Sequence, residues 1–307
     1  MLSVVGIVLH PFILILMGFW LSKKNFFSRP FWDGVEKLVY FVLFPPLLFN
    51  SVATANLDLG SASRFLISGL TAMGLAVVMA YLVSKMAKVD RMTDASIRQC
   101  GYRFNSYIGF ALASSLYGTD GLALFALLLG LWVPISNAFA VTDLSQAAQK
   151  KGEGWTSVVK AIATNPLILA TVAGLIFNVF SWTVPSLVFN VFKSLGSSSL
   201  ALALLAIGSG MAINDLSRYK KLLTLATVER LVAVPLVAVV MGLLLNLSTV
   251  EMGALLCFTA LPTANSCYIL ATRMGGNGEA VADLTTLQTL VAVLTLPLWM
   301  MLAQTFV

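Results

Sequence analysis

Apolar stretches of about 20 residues recur along the whole chain, and they constrain its fold more than any other feature. At 1.5 Å per residue, each stretch is long enough to cross a hydrocarbon core about 30 Å thick. Hydrophobic residues make up 59% of the 307 residues and charged residues only 10%, which excludes a water-soluble fold. The sequence therefore predicts an all-α integral membrane protein with ten transmembrane helices, approximately at residues 2–21, 35–53, 65–83, 97–117, 122–141, 159–180, 187–212, 222–245, 252–274 and 284–306.

The basic residues predict which side of the membrane the connections face. The net charge is +6, but Lys and Arg lie in short connections between the apolar stretches, which indicates membrane topology and not nucleic-acid binding. If the amino terminus is outside, all 19 Lys and Arg residues except Arg64, Lys193 and Arg230 fall on the inner side. We therefore expect both termini on the non-cytoplasmic side, with the first apolar stretch retained as a helix.

The two halves of the chain share a plan, which indicates an internal duplication. Five predicted helices lie in residues 1–150 and five in residues 151–307. Because five is odd, the second copy must enter the membrane from the opposite side, and such inverted repeats are typical of secondary transporters. The residues matched in the same order by a shift of about half the chain are Gly18 with Gly174, Lys37 with Lys193, Asn105-Ser106 with Asn265-Ser266, Gly118 with Gly275 and Pro134 with Pro297.

The fourth and ninth predicted helices are interrupted at matching places. Residues 101–106 (GYRFNS) and 261–266 (LPTANS) combine preferred helix N-caps with, in the second, a Pro that disfavours helix. Irregular backbone at membrane depth is tolerated where protein or a water-filled cavity satisfies it. We expect half-helices to restart at Ser106 and Ser266 and to point free N–H groups into a cavity, a site for a carboxylate. The alternative is that Asn and Ser only cap kinked helices or bond neighbouring ones.

Other polar residues in or beside the apolar stretches give further candidates. Arg103 could draw anions into the cavity or contact lipid head groups. Glu229 and Arg230 belong to coupling or to structure, and Gln288 and Asn50 either line the cavity or bond helices together. The three Cys residues have no metal-ligand spacing, so we expect no metal and no cofactor. The candidate substrate-binding set is Arg103, Asn105, Ser106, Tyr107, Pro262, Asn265 and Ser266.

Over essentially its whole length the chain resembles the auxin efflux carrier family. The resemblance rests on residues 44–49 (FPPLLF), 103–110 (RFNSYIGF), 116–118 (LYG), 133–137 (VPISN), 260–266 (ALPTANS) and 295–299 (TLPLW). It implies a five-plus-five inverted repeat, crossing helices at the fourth and ninth spans, and interleaved scaffold and transport subdomains. It also implies a homodimer, an elevator movement and permease activity towards malate, malonate or related acids.

Two departures from the plant auxin exporters bear on the substrate. Those proteins have a second Pro where this chain has Cys267, and the long cytoplasmic loop that they carry is missing here. Both departures argue against auxin and favour a compact bacterial member in an inner membrane. An Asn near the carboxylate in the plant proteins corresponds to Asn105.

Three alternatives to a simple anion carrier remain at this point. One is a sodium- or proton-coupled symporter of amphipathic acids, like the more distantly similar bile acid:sodium symporters. A membrane-embedded enzyme is disfavoured because the sequence lacks His-Glu-x-x-His and Gly-x-Ser-x-Gly, and its single His leaves no usual general base. A sensor without transport is the third, although no appended output domain is evident.

Overall fold

The chain is built from helices throughout the part that can be described. A computed structural model describes residues 2–56, 59–148, 163–212 and 214–306, and within these ranges every regular element is helical. The α-helices are α1 Leu2–Lys23, α2 Arg29–Leu38, α3 Phe44–Thr54, α4 Leu59–Ala87, α5 Arg91–Arg98, α6 Ser106–Ala147, α7 Pro166–Val179, α8 Ser186–Ser209, α9 Lys220–Val228, α10 Val234–Leu244, α11 Thr249–Thr259, α12 Ser266–Arg273 and α13 Gly278–Ala303. π-Helical turns at Val39–Leu43 and Glu229–Ala233 join α2 to α3 and α9 to α10.

Seven helical segments among the described residues are long and apolar enough to cross a bilayer. They are Val4–Lys23, Arg29–Thr54, Ala62–Ala87, Arg91–Ala147, Ser186–Ser209, Lys220–Leu244 and Gly278–Ala303. The apolar helices α7 and α11 are shorter, with 14 and 11 residues. The prediction of an all-α, multi-pass membrane protein is thus confirmed, whereas the ten spans and their inverted repeat stay predictions. The predicted boundary between the two five-helix repeats, at residues 150 and 151, lies outside the described residues.

The longest helix, α6, is divided by one glycine. Gly118 lies inside its 42 residues with φ 61° and ψ −148°, a conformation open to glycine and rare for other residues. This break separates the parts of α6 that were predicted as the fourth and fifth spans. Gly275, which the sequence repeat matches to Gly118, is the other glycine with positive φ among the described residues.

Helices α1 and α8 approach each other through two glycines. Gly18 of α1 lies against the backbone of Leu205, and Gly208 of α8 lies against the backbone of Ile15 and Phe19. A Cβ atom at either glycine would collide with main-chain atoms of the other helix. Small residues at such contacts let helices pack closely in membranes, where apolar burial gives little association energy.

An aromatic cluster fills the interior between α6 and α11. The rings of Phe104, Phe110, Phe125 and Phe258 are all buried. The Phe104 and Phe258 centroids are 4.2 Å apart, and Phe125 contacts Phe110 and Phe258 at 5.0 and 5.1 Å. Since Phe104 belongs to the irregular segment before α6, this packing fixes that segment against α11.

Candidate functional site

Two irregular segments meet in the interior of the molecule. A 3₁₀ turn ends at Gly101 and α6 begins at Ser106, while α11 ends at Thr259 and α12 begins at Ser266. The Asn105 N–H donates to the Pro262 carbonyl at 2.8 Å. The Thr263 hydroxyl donates to the carbonyl of Cys100 at 2.7 Å. These two bonds join the segments and satisfy backbone groups that helical bonding leaves unpaired.

The first residues of α6 are capped by Asn105. This side chain is 4% exposed, and its oxygen accepts from the N–H groups of Tyr107 at 3.1 Å and Ile108 at 3.4 Å. The expectation of free N–H groups was therefore wrong for these two residues, because the cap already uses them. What α6 offers to the space before it is its positive dipole end.

Asn265 differs from its repeat partner. It has αR backbone angles (φ −58°, ψ −27°) and its side chain makes no capping bond to α12. The Asn265 amide lies beside Gly210, at the end of α8. The two Asn side chains that the sequence treats as equivalent thus have different surroundings, one bonded to its own helix and the other half-buried beside α8.

A cavity of about 640 Å³ opens where the two helices begin. Six residues of the predicted binding set line it: Arg103, Asn105, Ser106, Tyr107, Asn265 and Ser266. The other polar residues of its wall are Asp33, Glu36, Lys37, Ser136, Asn137, Asn165 and Arg273. The structure therefore brings most of the predicted set around one space.

The charged groups of the cavity wall are three cations and two carboxylates. The cations are Lys37, Arg103 and Arg273, and the carboxylates are Asp33 and Glu36. Asp33 forms a salt bridge at 3.1 Å with Arg29, which is not a residue of the cavity wall. The wall therefore carries a net positive charge that favours anions.

The guanidinium of Arg103 is held in place at the mouth of both helices. It donates to the Gln99 amide oxygen at 2.5 Å and to the Ser266 hydroxyl at 3.1 Å. Each bond uses one of its two terminal nitrogens. One nitrogen bonds the 3₁₀ turn before the first irregular segment, and the other bonds the residue that follows the second irregular segment. Because arginine has five N–H donors in a planar fork, donors remain for a carboxylate in the cavity.

Three of the predicted residues lie away from the cavity wall and bond neighbouring segments. Pro262 is buried and contributes its carbonyl to Asn105. Gln288, fully buried in α13, accepts from the Thr263 N–H at 2.9 Å and donates to the Ala226 carbonyl at 3.2 Å. Asn50 donates to the Phe189 carbonyl at 3.0 Å. For Gln288 and Asn50 the bonding alternative is the one that the geometry favours.

Arg230 lies behind the second irregular segment with no exposed surface. Its Nε donates to the Leu261 carbonyl at 2.8 Å and one terminal nitrogen to the Phe258 carbonyl at 3.4 Å. Its guanidinium is 5.4 Å from the centroid of the Phe104 ring. Arg230 thus satisfies carbonyls at the end of α11, where the helix dipole is negative. Neither Arg230 nor Glu229 lines the cavity.

Several wall residues were not predicted as site residues. Asn165 caps α7 by accepting from the N–H groups of Leu167 and Ile168, at 3.0 and 3.3 Å. A signal for it exists in the sequence, since an N-cap Asn followed by Pro is a helix start. Lys37 and Arg273 were counted as topology charges, and Lys37 also as the repeat match of Lys193, but nothing in the sequence brings α2 and α12 to one cavity.

A family model described as membrane transport protein matches residues 3–300. The chain belongs to this family, that of the auxin efflux carriers. The resemblance predicted from the motifs is therefore confirmed, and a membrane transporter is the activity class of the family.

Relatives of this transporter match it end to end at low identity. The uncharacterized transporter YfdV of Escherichia coli (strain K12) is 23% identical, with 96% of each chain covered. An uncharacterized transporter of Methanothermobacter thermautotrophicus is 22% identical, with 95% of this chain and 96% of the relative covered. A putative malonate transporter of Rhizobium meliloti is 23% identical, with coverages of 96% and 94%. These relatives are named as transporters and not as enzymes.

Proposed function

We propose that this chain is a secondary transporter for a small organic anion, such as a mono- or dicarboxylate. The observation that carries the proposal is the cavity of about 640 Å³ bounded by Arg103 and by the starts of α6 and α12. Its volume falls within the range of small-molecule sites, about 300–1,000 Å³. The relative named a putative malonate transporter agrees with a carboxylate as cargo.

In this proposal Arg103 binds one carboxylate in the cavity. Its remaining N–H donors suit the planar geometry of a carboxylate, and the dipole ends of α6 and α12 favour the same charge. Ser106, Tyr107, Asn265 and Ser266 complete the wall. Arg273 and Lys37, across the same space, would hold a second carboxylate of a dicarboxylic acid.

Transport itself is proposed to follow alternating access of the elevator type. Two inverted five-helix repeats would form a scaffold unit and a transport unit, with the irregular segments as the crossing points of two interrupted helices. The bonds between Asn105 and Pro262 and between Thr263 and Cys100 support a single moving unit around the cavity. The family resemblance suggests a homodimer, the short loop between the fifth and sixth predicted spans favours a bacterial inner membrane, and the distribution of Lys and Arg favours both termini on the non-cytoplasmic side.

Uptake of radiolabelled malonate and malate into proteoliposomes tests the proposal. We expect saturable counterflow for the wild type and a marked loss for Asn105→Ala and Asn265→Ala. Arg103→Gln removes a charged hydrogen bond worth about 1.5–3 kcal/mol, which raises KM by about 10- to 150-fold. The matched controls Asn56→Ala and Arg91→Gln change exposed residues outside the cavity wall and should keep wild-type KM.

Two results would contradict this assignment. Unchanged KM and maximal rate in Arg103→Gln, Asn105→Ala and Asn265→Ala would remove these residues from the binding site. An equal loss in the Arg91→Gln control would show that surface charge, and not the cavity, controls uptake.

A further inference from the structure

A buried carboxyl group stands behind the first irregular segment, on the side away from the cavity. Glu229 begins the π-helical turn between α9 and α10 and is 4% exposed. Its Oε1 has no hydrogen-bond partner among the described residues. A Cβ atom at Gly101 would collide with this carboxyl, so Glu229 lies directly against the last residue before the irregular segment. A carboxylate buried without partners is costly, and protonation removes most of that cost.

The space beside Glu229 contains a second unpaired polar atom. Glu229 shares a narrow gap with Ser84 of α4 and with Asp94 and Arg98 of α5. The Nε atom of Arg98 is buried, and no described residue offers it a hydrogen-bond partner. An unpaired acceptor and an unpaired donor therefore border one gap.

The charges around this gap do not balance. Arg98 pairs with Asp94 and, through its other terminal nitrogen, with Asp143 at 3.3 Å. Tyr81 and Tyr102 donate hydrogen bonds to Asp143 from α4 and from the irregular segment. Arg98 is thus shared by two carboxylates, while Glu229, which lines the same gap, forms no ion pair with it. Arg230, next to Glu229 in sequence, bonds the Leu261 and Phe258 carbonyls, while Leu222 and Ala226 bring only apolar groups to the gap from α9.

We propose that Glu229 is a proton-binding site that couples proton movement to substrate movement. The inference rests on the transport function proposed above. Glu229 takes one proton from water on one side of the membrane and is neutral in the arrangement seen here. When it releases that proton to the other side, the carboxylate attracts the free Arg98 N–H across the gap. Because Glu229 lies against Gly101, this movement of the Glu229 carboxylate towards Arg98 also moves the irregular segment that forms the cavity wall.

The geometry favours a proton over a metal cation. The gap leaves no room for a particle of the size of a water molecule. A sodium ion needs several oxygen ligands that converge on one point, whereas a proton needs only the carboxyl oxygen itself. Coupling at Glu229 is also separated from substrate binding, since Glu229 does not line the cavity.

Proteoliposomes that contain a pH-sensitive dye test this inference directly. Under a malonate or malate gradient, we expect proton movement in proportion to radiolabel uptake in the wild type. Glu229→Gln, which is permanently neutral, should lose proton movement and the response of uptake to a pH gradient, while substrate exchange remains measurable. Glu229→Asp can still bind a proton and should retain coupling with a shifted pH dependence. Glu279→Gln, a change of an exposed carboxyl in α13, should behave as the wild type.

Several outcomes would overturn the inference while the transport function stands. They are proton movement at the wild-type level in Glu229→Gln, wild-type uptake without proton movement, and uptake that requires a sodium gradient. If neither acid is transported at all, the proposed function fails for these substrates. Infrared difference spectroscopy then tests whether the Glu229 carboxyl group binds a proton. A protonated-carboxyl band that titrates in the wild type and is missing in Glu229→Gln supports the proton site, and an unchanged spectrum refutes it.

Discussion

Adding one methyl group at Gly18 tests whether the approach of α1 to α8 is as close as the structure shows. An ideal Cβ at Gly18 would lie 2.7 Å from the Leu205 carbonyl carbon, whereas ordinary contact begins at 3.4 Å. The helices would have to separate by at least 0.7 Å, the difference of those two distances. The obstructing atoms belong to the backbone, so no side-chain rotation can relieve the collision.

The change in unfolding free energy caused by Gly18→Ala follows from two opposing effects. A gap of about 0.5–1 Å forfeits a quarter to a half of the dispersion energy of each contact, and overpacking costs about 1–3 kcal/mol. Replacing Gly by Ala within a helix stabilises the helix by about 1 kcal/mol, because Ala has the higher helix propensity. Because a backbone collision belongs at the upper end of the overpacking range, we expect Gly18→Ala to destabilise the fold by about 2 kcal/mol.

A matched control lies in the same helix. Gly6 of α1 has open space where a Cβ would be, so Gly6→Ala gains propensity without a collision. The two variants should therefore differ by about 3 kcal/mol in unfolding free energy, measured by denaturant unfolding in detergent micelles. Equal stability of Gly6→Ala and Gly18→Ala would refute the close helix contact.

Two further predictions concern polar contacts. Gln288→Leu removes the acceptor of the buried Thr263 N–H and the donor to Ala226, at about 1–3 kcal/mol for each group left unpaired. Its unfolding midpoint should fall, and an unchanged midpoint would contradict the bridging role. Asp90 caps α5, and the N–H groups of Thr93 and Met92 lower the pKa of its carboxyl. This stabilisation is present above about pH 4 and is lost as the pH falls through the lowered pKa. The protection of the α5 amides, measured by hydrogen exchange and corrected for the intrinsic pH dependence of exchange, should therefore fall in acid, and Asp90→Asn should weaken this response.

The sequence was informative where local preference decides the structure. Asn105 followed by Ser106 predicts a helix start, and α6 begins there with Asn105 as its cap. The same pattern at Asn265 and Ser266 also marks the start of α12, but the surroundings of α8 give Asn265 a different conformation. Tertiary contacts that involve Gly210 cannot be inferred from a dipeptide.

The limits of the second span were harder to predict. The apolar stretch begins at Val35, whereas the helix begins at Arg29 and carries Asp33, Glu36 and Lys37 along α2. Asp33 lies before the predicted span and Glu36 and Lys37 lie within its first turn, where a search for apolar runs gives charged residues no weight. They nevertheless face the cavity, because Asp33, Glu36 and Lys37 all belong to its wall. Polar residues at the end of an apolar run were thus a missed signal for the site.

For Arg230 and Gln288 the sequence offered a structural role as one of two alternatives, but it could not identify the groups that they bond. Each bonds carbonyl or N–H groups of a segment more than twenty positions away along the chain. Which backbone groups remain unpaired depends on where α11 ends, and Phe258, one residue before that end, packs against Phe104 of the other irregular segment. The sequence shows only that an arginine inside an apolar stretch needs partners.

The bond between the Asn105 N–H and the Pro262 carbonyl has a consequence for divergence within the family. This bond is made by main-chain atoms and so places no requirement on the side chain of Asn105, unlike the second bond of the junction, which needs the Thr263 hydroxyl. Side chains that point into the neighbouring space, such as Arg273 and Lys37, can be exchanged in evolution while the junction persists. Under the proposed function, cargo preference would therefore change by point substitution without a new scaffold, even between chains that retain fewer than a quarter of their residues in common.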